Sequence, residues 1–132
     1  MKLADFSKKL RLEGAKRILI INAPEDYYLA LGEMDYDKTP DHAKNGFYDF
    51  VQVFSVKQAE MEKLIVQVGD AGKYDCVFWA CYPKGGGKIK SDMKRETIWK
   101  ALELISLRPV SQVSIDETWS ALRGRPHEVV GK

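Results

Sequence analysis

The chain has 132 residues, 45% of them hydrophobic and 30% charged, with 21 Lys and Arg against 19 Asp and Glu, a formal net charge of 21 − 19 = +2. That length suits one domain, and the composition excludes wholesale disorder, a strongly basic nucleic-acid coat and an acidic tail. No apolar run reaches the roughly 18 residues of a membrane span, and Met1 to Leu12 lacks the apolar stretch of a secretory signal.

The first element is the run Ile18-Leu19-Ile20-Ile21. Four adjacent apolar residues, three of them β-branched, predict a strand buried on both faces. Asn22, Ala23 and Pro24 end it, and Pro24, Glu25 and Asp26 suit the first turn of a short helix that runs to about Leu31 and stops at Gly32. Glu33 to Gly46 reads as a polar surface loop. Its Asp35, Asp37, Asp41 and His42 match no calcium-loop spacing, so a solvated acidic loop is expected.

Tyr48 to Phe54 reads as a second strand, and Ser55 with Gln58 fits a capping box for the next helix. Met61, Leu64, Ile65 and Val68 give that helix a buried stripe. Tyr74 to Cys81 is the third strand, apolar without alternation and therefore central. Cys76 and Cys81 would lie on opposite faces of it, about 16 Å apart, too far to pair. Free thiols of this kind point to a cytoplasmic setting.

Tyr82 to Lys90 is a Gly-rich basic loop, with Ser91 or Asp92 capping a third helix whose stripe is Ile98, Ala101, Leu102 and Ile105. Arg108-Pro109 should stop it. Val110 to Ile115 is a more polar fourth strand, Asp116-Glu117 a turn, and Thr118 to Arg123 a short antiparallel strand in preference to a helix. From Gly124 a loose tail is expected.

The alternation predicts an α/β fold, a Rossmann-like three-layer sandwich. Its mostly parallel sheet should hold four to five strands in the order 2-1-3-4, with an antiparallel last strand. Ligands of open α/β sheets bind outside the carboxyl ends of the strands, where the strand order reverses. That expectation places Asn22, Lys84, Gly85, Gly86, Gly87, Lys88, Asp116 and Trp119 around one cleft. Residues 84 to 95 hold five basic side chains and one Asp, or 5 − 1 = +4. Three glycines before a helix start suit an anion, although Tyr82 and Ile89 depart from the phosphate-loop pattern and Lys90 from the dinucleotide one. The expected role is binding of an anionic or phosphorylated small molecule. The alternative is a nucleic-acid or protein interaction module without catalysis, with nucleic acid the less favoured partner and no membrane. No residue set names an enzyme, a cofactor or a metal. If the chain catalyses, group transfer is favoured over metal hydrolysis.

Two segments resemble a family of small bacterial proteins without an assigned function. One is Tyr82-Pro83-Lys84 followed by a short loop and Ser91-Asp92-Met93-Lys94-Arg95; the other is Pro109-Val110 leading to Ile115-Asp116-Glu117-Thr118-Trp119-Ser120-Ala121-Leu122-Arg123. Asn22-Ala23-Pro24-Glu25-Asp26 is similar to that family's A-P-E segment. The resemblance spans about residues 12 to 126 and implies a bacterial cytosolic protein, with no activity carried over. The element pattern is also loosely similar to Rossmann-like methyltransferases, but no Gly-rich loop follows the first strand to receive their cofactor.

Overall fold

A computed structural model describes residues 2–40 and 45–130. Five strands and three helices alternate: β1 (Ile18–Ile21), α1 (Glu25–Leu31), β2 (Tyr48–Phe54), α2 (Gln58–Gln67), β3 (Gly72–Pro83), α3 (Arg95–Glu103), β4 (Leu107–Ser114) and β5 (Trp119–Pro126). The sheet order is β1-β2-β3-β5-β4, with β1, β2 and β3 parallel and β5 antiparallel to both of its neighbours. The α/β class and the antiparallel final strand agree with the sequence. The expected order 2-1-3-4 does not, and the reason lies in the backbone after α1. Asp37 returns to the outer side of β1, where its N–H donates to the Ile18 carbonyl and its carbonyl accepts from the Ile20 N–H, both at 2.9 Å. That edge is taken, so β2 pairs on the inner side. A reversal of direction survives all the same, because the first crossover leads outward to Asp37 and the next strands build inward.

Two cores sit on the two faces of the sheet. On one, Met61 and Ile65 of α2 and Ile98, Ala101 and Leu102 of α3 pack on Leu19, Val51, Val53, Phe78 and Leu122. On the other, Tyr27 and Leu31 of α1 join Phe6, Leu10 and Leu12 of the amino-terminal segment over Ile20, Phe50, Phe54 and Trp79. Both helical stripes therefore bury the positions that their periodicity marks.

Local starts and stops differ from expectation in four places. Helix α3 begins at Arg95, and the Asp92 carboxylate instead accepts the Gln58 N–H at 2.8 Å, capping α2 from a distant loop. Ser55 makes no box with Gln58; its hydroxyl donates to Glu60 at 2.6 Å. Pro109 lies within β4, at an irregularity in its pairing with β5, which an edge strand tolerates. Strand β5 also runs on through Gly124 to Pro126. A Cβ on Gly124 would stand 3.1 Å from Leu102 Cδ2 and 3.2 Å from Leu107 Cβ, so a bare backbone lets α3 and β4 close over it.

Candidate functional site at the carboxyl edge of the sheet

The direction reversal falls between β1 and β2, so the crevice to examine lies where those strands end. Asn22 leaves β1 at φ +62, a left-handed conformation that Asn tolerates better than most residues. That turn aims its amide across the crevice, where Nδ2 donates to the Phe54 carbonyl at 2.9 Å and to Glu60 Oε1 at 3.2 Å. The same Glu60 oxygen accepts the Ser55 hydroxyl. Beneath it, the Tyr28 hydroxyl donates to the Ile20 carbonyl at 2.9 Å and accepts the Ala23 N–H at 3.3 Å. Partial burial raises the Tyr28 pKa, so the phenol stays protonated. Next comes Pro24, which has no N–H to offer. The first turn is thus stitched shut by Asn22 and Tyr28, and an exposed Glu60 carboxylate stands at its rim.

The triglycine loop lies farther along the same edge. Lys84 N–H donates to the Thr118 carbonyl at 2.8 Å, and Lys84 Nζ donates to Ser114 Oγ at 2.6 Å. Gly87 N–H turns back to the Lys84 carbonyl at 3.2 Å. Gly86 needs its positive φ of 76, but a Cβ on Gly85 or Gly86 would meet nothing within 4 Å. The glycines form a turn with open space around it, and Gly85 lines the cleft beside it. Lys88 remains exposed on that turn. A cleft of about 440 Å³ opens beside the loop, between Tyr82, Lys84, Lys94, Arg95 and Gln112.

The other two expected residues face elsewhere. Asp116 Oδ1 accepts the Thr118 and Trp119 N–H groups at 2.8 and 2.7 Å, which fixes the β4–β5 turn. Trp119 is 7% exposed and meets Phe54 edge-on, with ring centroids 5.2 Å apart, so its ring is core and offers no stacking face. Asn22 and the triglycine loop do not share a cleft, because the exit of β2 and the Asp92–Gln58 contact stand between them. Sequence reasoning missed Tyr28, Glu60 and Asp92. Asp92 was assigned to the wrong helix, and no spacing marks a side chain that closes a turn on another element.

Among the described residues no three His, Cys, Asp or Glu side chains come together as a metal site; Asp41 and His42 lie outside them. No helix among them is long and apolar enough to cross a membrane. Both cysteines are free. Cys81 is fully buried and accepts the Gln52 amide, and burial pushes its thiol far up. Burial pushes Cys76 up to about 11, with Asp75 and Asp49 adding to the shift. At pH 8 the native Cys76 should therefore react with iodoacetamide at least about tenfold more slowly than the same thiol in urea. Equal rates would contradict the burial that holds it protonated.

No family model matches the chain, and no curated protein matches it significantly. Solved structures do match. A protein assigned as a type 11 methyltransferase from Sulfolobus solfataricus superposes over 99% of this chain and 83% of its own, with a TM-score of 0.57 and 12% identity. A SAM-dependent methyltransferase from Archaeoglobus fulgidus superposes over 93% of both chains, with a TM-score of 0.51 and 14% identity. The fold is a Rossmann-like α/β one, shared with these two methyltransferases. At these identities the likeness is one of architecture. The expectation of an anion binder, or of an interaction module without catalysis, is corrected accordingly. The neighbours are enzymes of group transfer, and the loop on which that expectation rested is a closed turn with Lys84 held by Ser114.

Proposed function

We propose that this chain is a catalytic domain of the methyltransferase class, working at the carboxyl edge of its sheet. The observation that carries the reading is architectural: the Archaeoglobus SAM-dependent methyltransferase shares this fold across 93% of both chains. The direction reversal between β1 and β2 supports the location, since open α/β sheets take their ligands at such a point. Glu60 is the charged group at that point, oriented by Asn22 and Ser55. A cytoplasmic, bacterial setting accords with the two free thiols and with the loop and W-S-A-L-R resemblance.

S-adenosylmethionine, the donor of that class, does not fit the first turn as it stands. The turn has no glycine, its Ala23 N–H is taken by Tyr28, and Asn22 straps the β1 exit to the β2 exit.

The reading makes a specific demand on those two side chains. Asn22 already has a glycine-like φ, so Asn22→Gly keeps the backbone and cuts the strap. Tyr28→Phe frees the Ala23 N–H. Thermal shift and calorimetry with S-adenosylmethionine and S-adenosylhomocysteine should show saturable stabilisation, larger in the double variant than in the wild type. Ligand at about a hundred times its Kd adds about 2.7 kcal/mol. If neither protein is stabilised by either compound, the methyl-transfer reading is lost.

A further inference from the structure

Strand β3 leaves its regular pairing with β2 near its start. Tyr48 faces Gly72 and Phe50 faces Val77, so two steps along β2 span five along β3. The surplus residues leave the ladder as a bulge, and Asp75 within it takes φ +57. Across a gap from that bulge, Ser106 takes φ +62 in the turn between α3 and β4. Non-glycine residues are uncommon in this conformation and persist where the surroundings enforce it. Here Arg125 grips the Asp75 carboxylate with two hydrogen bonds of 2.9 and 2.6 Å.

Between the bulge and the turn lies a cavity of about 380 Å³, lined by residues 73–76 of the bulge and by Ser106. Its floor is apolar. Val68 and Phe78 lie there, 1% and 4% exposed, with Ile105 and Leu107 flanking Ser106. Cys76 stands half-buried in the wall. The rim is polar and mostly acidic: Asp70, Asp75 and Glu128 stand there against Lys73. With Arg125 counted as well, the local balance among the described residues is 2 − 3 = −1, in a chain of +2. The Tyr74 hydroxyl donates to Glu128, which ties the carboxyl-terminal turn to the bulge and holds a ring that is 69% exposed at the mouth.

We propose that this cavity is a second ligand site, for a small molecule that joins a flat apolar body to a protonated amine. A concave apolar floor with a few convergent polar groups, in a volume of several hundred Å³, is the usual form of such sites. The body would rest on Val68, Phe78 and Leu107. The ammonium would face the rim carboxylates and the electron-rich face of the Tyr74 ring. An analogue of the same shape that carries a carboxylate meets like charge there. Cys76 lies seven residues before Pro83 along β3, about 23 Å. A ligand bound here therefore stands away from the carboxyl edge and is not the acceptor of a methyl group there.

The test compares tryptamine with indole-3-propionate, which differ in the charge at the end of the same side chain. No methyl donor is present, so the result is independent of the methyl-transfer reading. Calorimetry should give saturable tryptamine binding with a Kd at or below about 1 mM, the range for a ligand of this size, and at least about tenfold weaker binding of the acid. Saturating tryptamine should also slow iodoacetamide alkylation of Cys76 at least about fivefold, read by intact mass, since Cys81 is fully buried and silent. Leu107→Trp fills the cavity and should abolish both effects in a protein whose urea midpoint shows it folded. Asp70→Asn, on the exposed rim, keeps the test alive if that variant does not fold: it should weaken tryptamine about threefold or more and leave the acid no weaker. The proposal is overturned if tryptamine does not saturate, if the acid binds as tightly, or if Cys76 alkylates at the same rate with the amine bound.

Discussion

Trp79→Ala is expected to cost about 3–5 kcal/mol, the range for removing a large aromatic from a core. The side chain is 1% exposed, and its indole N–H is the hydrogen bond that fastens the Leu10 carbonyl to the sheet. Losing it leaves a cavity under Phe6, Leu10 and Leu12 and removes their anchor together. A domain of this size holds about 5–15 kcal/mol in total, so the midpoint of a urea melt should fall by about a fifth or more. Limited proteolysis should then cut first within residues 2–16. Trp79→Phe keeps most of the packing and loses the anchor, so it should cost less yet still open that segment. Protection of residues 2–16 in both variants would refute the anchoring role.

The second large effect concerns a polar pair in the middle of the sheet. Gln52 is fully buried in β2, and its Oε1 accepts the Tyr27 hydroxyl at 2.6 Å. Burial raises the Tyr27 pKa far above its ordinary value, so the phenol remains a donor throughout the accessible pH range. Tyr27→Phe strands the amide oxygen, and Gln52→Leu strands the hydroxyl. Each should cost about 1–3 kcal/mol, the penalty for an unsatisfied buried polar group. The double variant removes both ends and should sit within about 1 kcal/mol of the wild type. A double variant whose loss equals the sum of the singles would show that the two groups do not answer one another.

Much of the fold is legible in the sequence where a pattern repeats. The Ile18–Ile21 run, the α2 stripe of Met61, Ile65 and Val68, and the α3 stripe of Ile98, Ala101 and Leu102 all bury the residues their spacing marks. Strand order is not written in such patterns. Asp37 secures the outer edge of β1 through its backbone N–H and C=O, which every residue but proline possesses, so its side chain signals nothing. Pro109 misleads for a related reason, since an edge strand with a bulge absorbs a proline that would end a helix.

The site was less legible than the fold. Three glycines among lysines are conspicuous, yet their cause is a turn that closes on the Lys84 carbonyl. Trp119 stands among the residues expected around the ligand cleft, but Phe54 and Ile115 pack over its ring and make it core.

The placement of β5 also governs how the molecule is assembled. Strand β4 is synthesised first but has no seat of its own, because its one neighbour in the sheet is the strand that follows it. Until residues 119–126 slot in beside β3, the segment 107–114 waits without hydrogen-bonded partners, and the half-sheet of β1, β2 and β3 keeps an open edge. Closure of that edge joins both hairpin arms to the parallel half in one cooperative event. Folding should therefore be held back by this late, long-range docking and not by the helices, as expected where non-local strand pairing sets the pace.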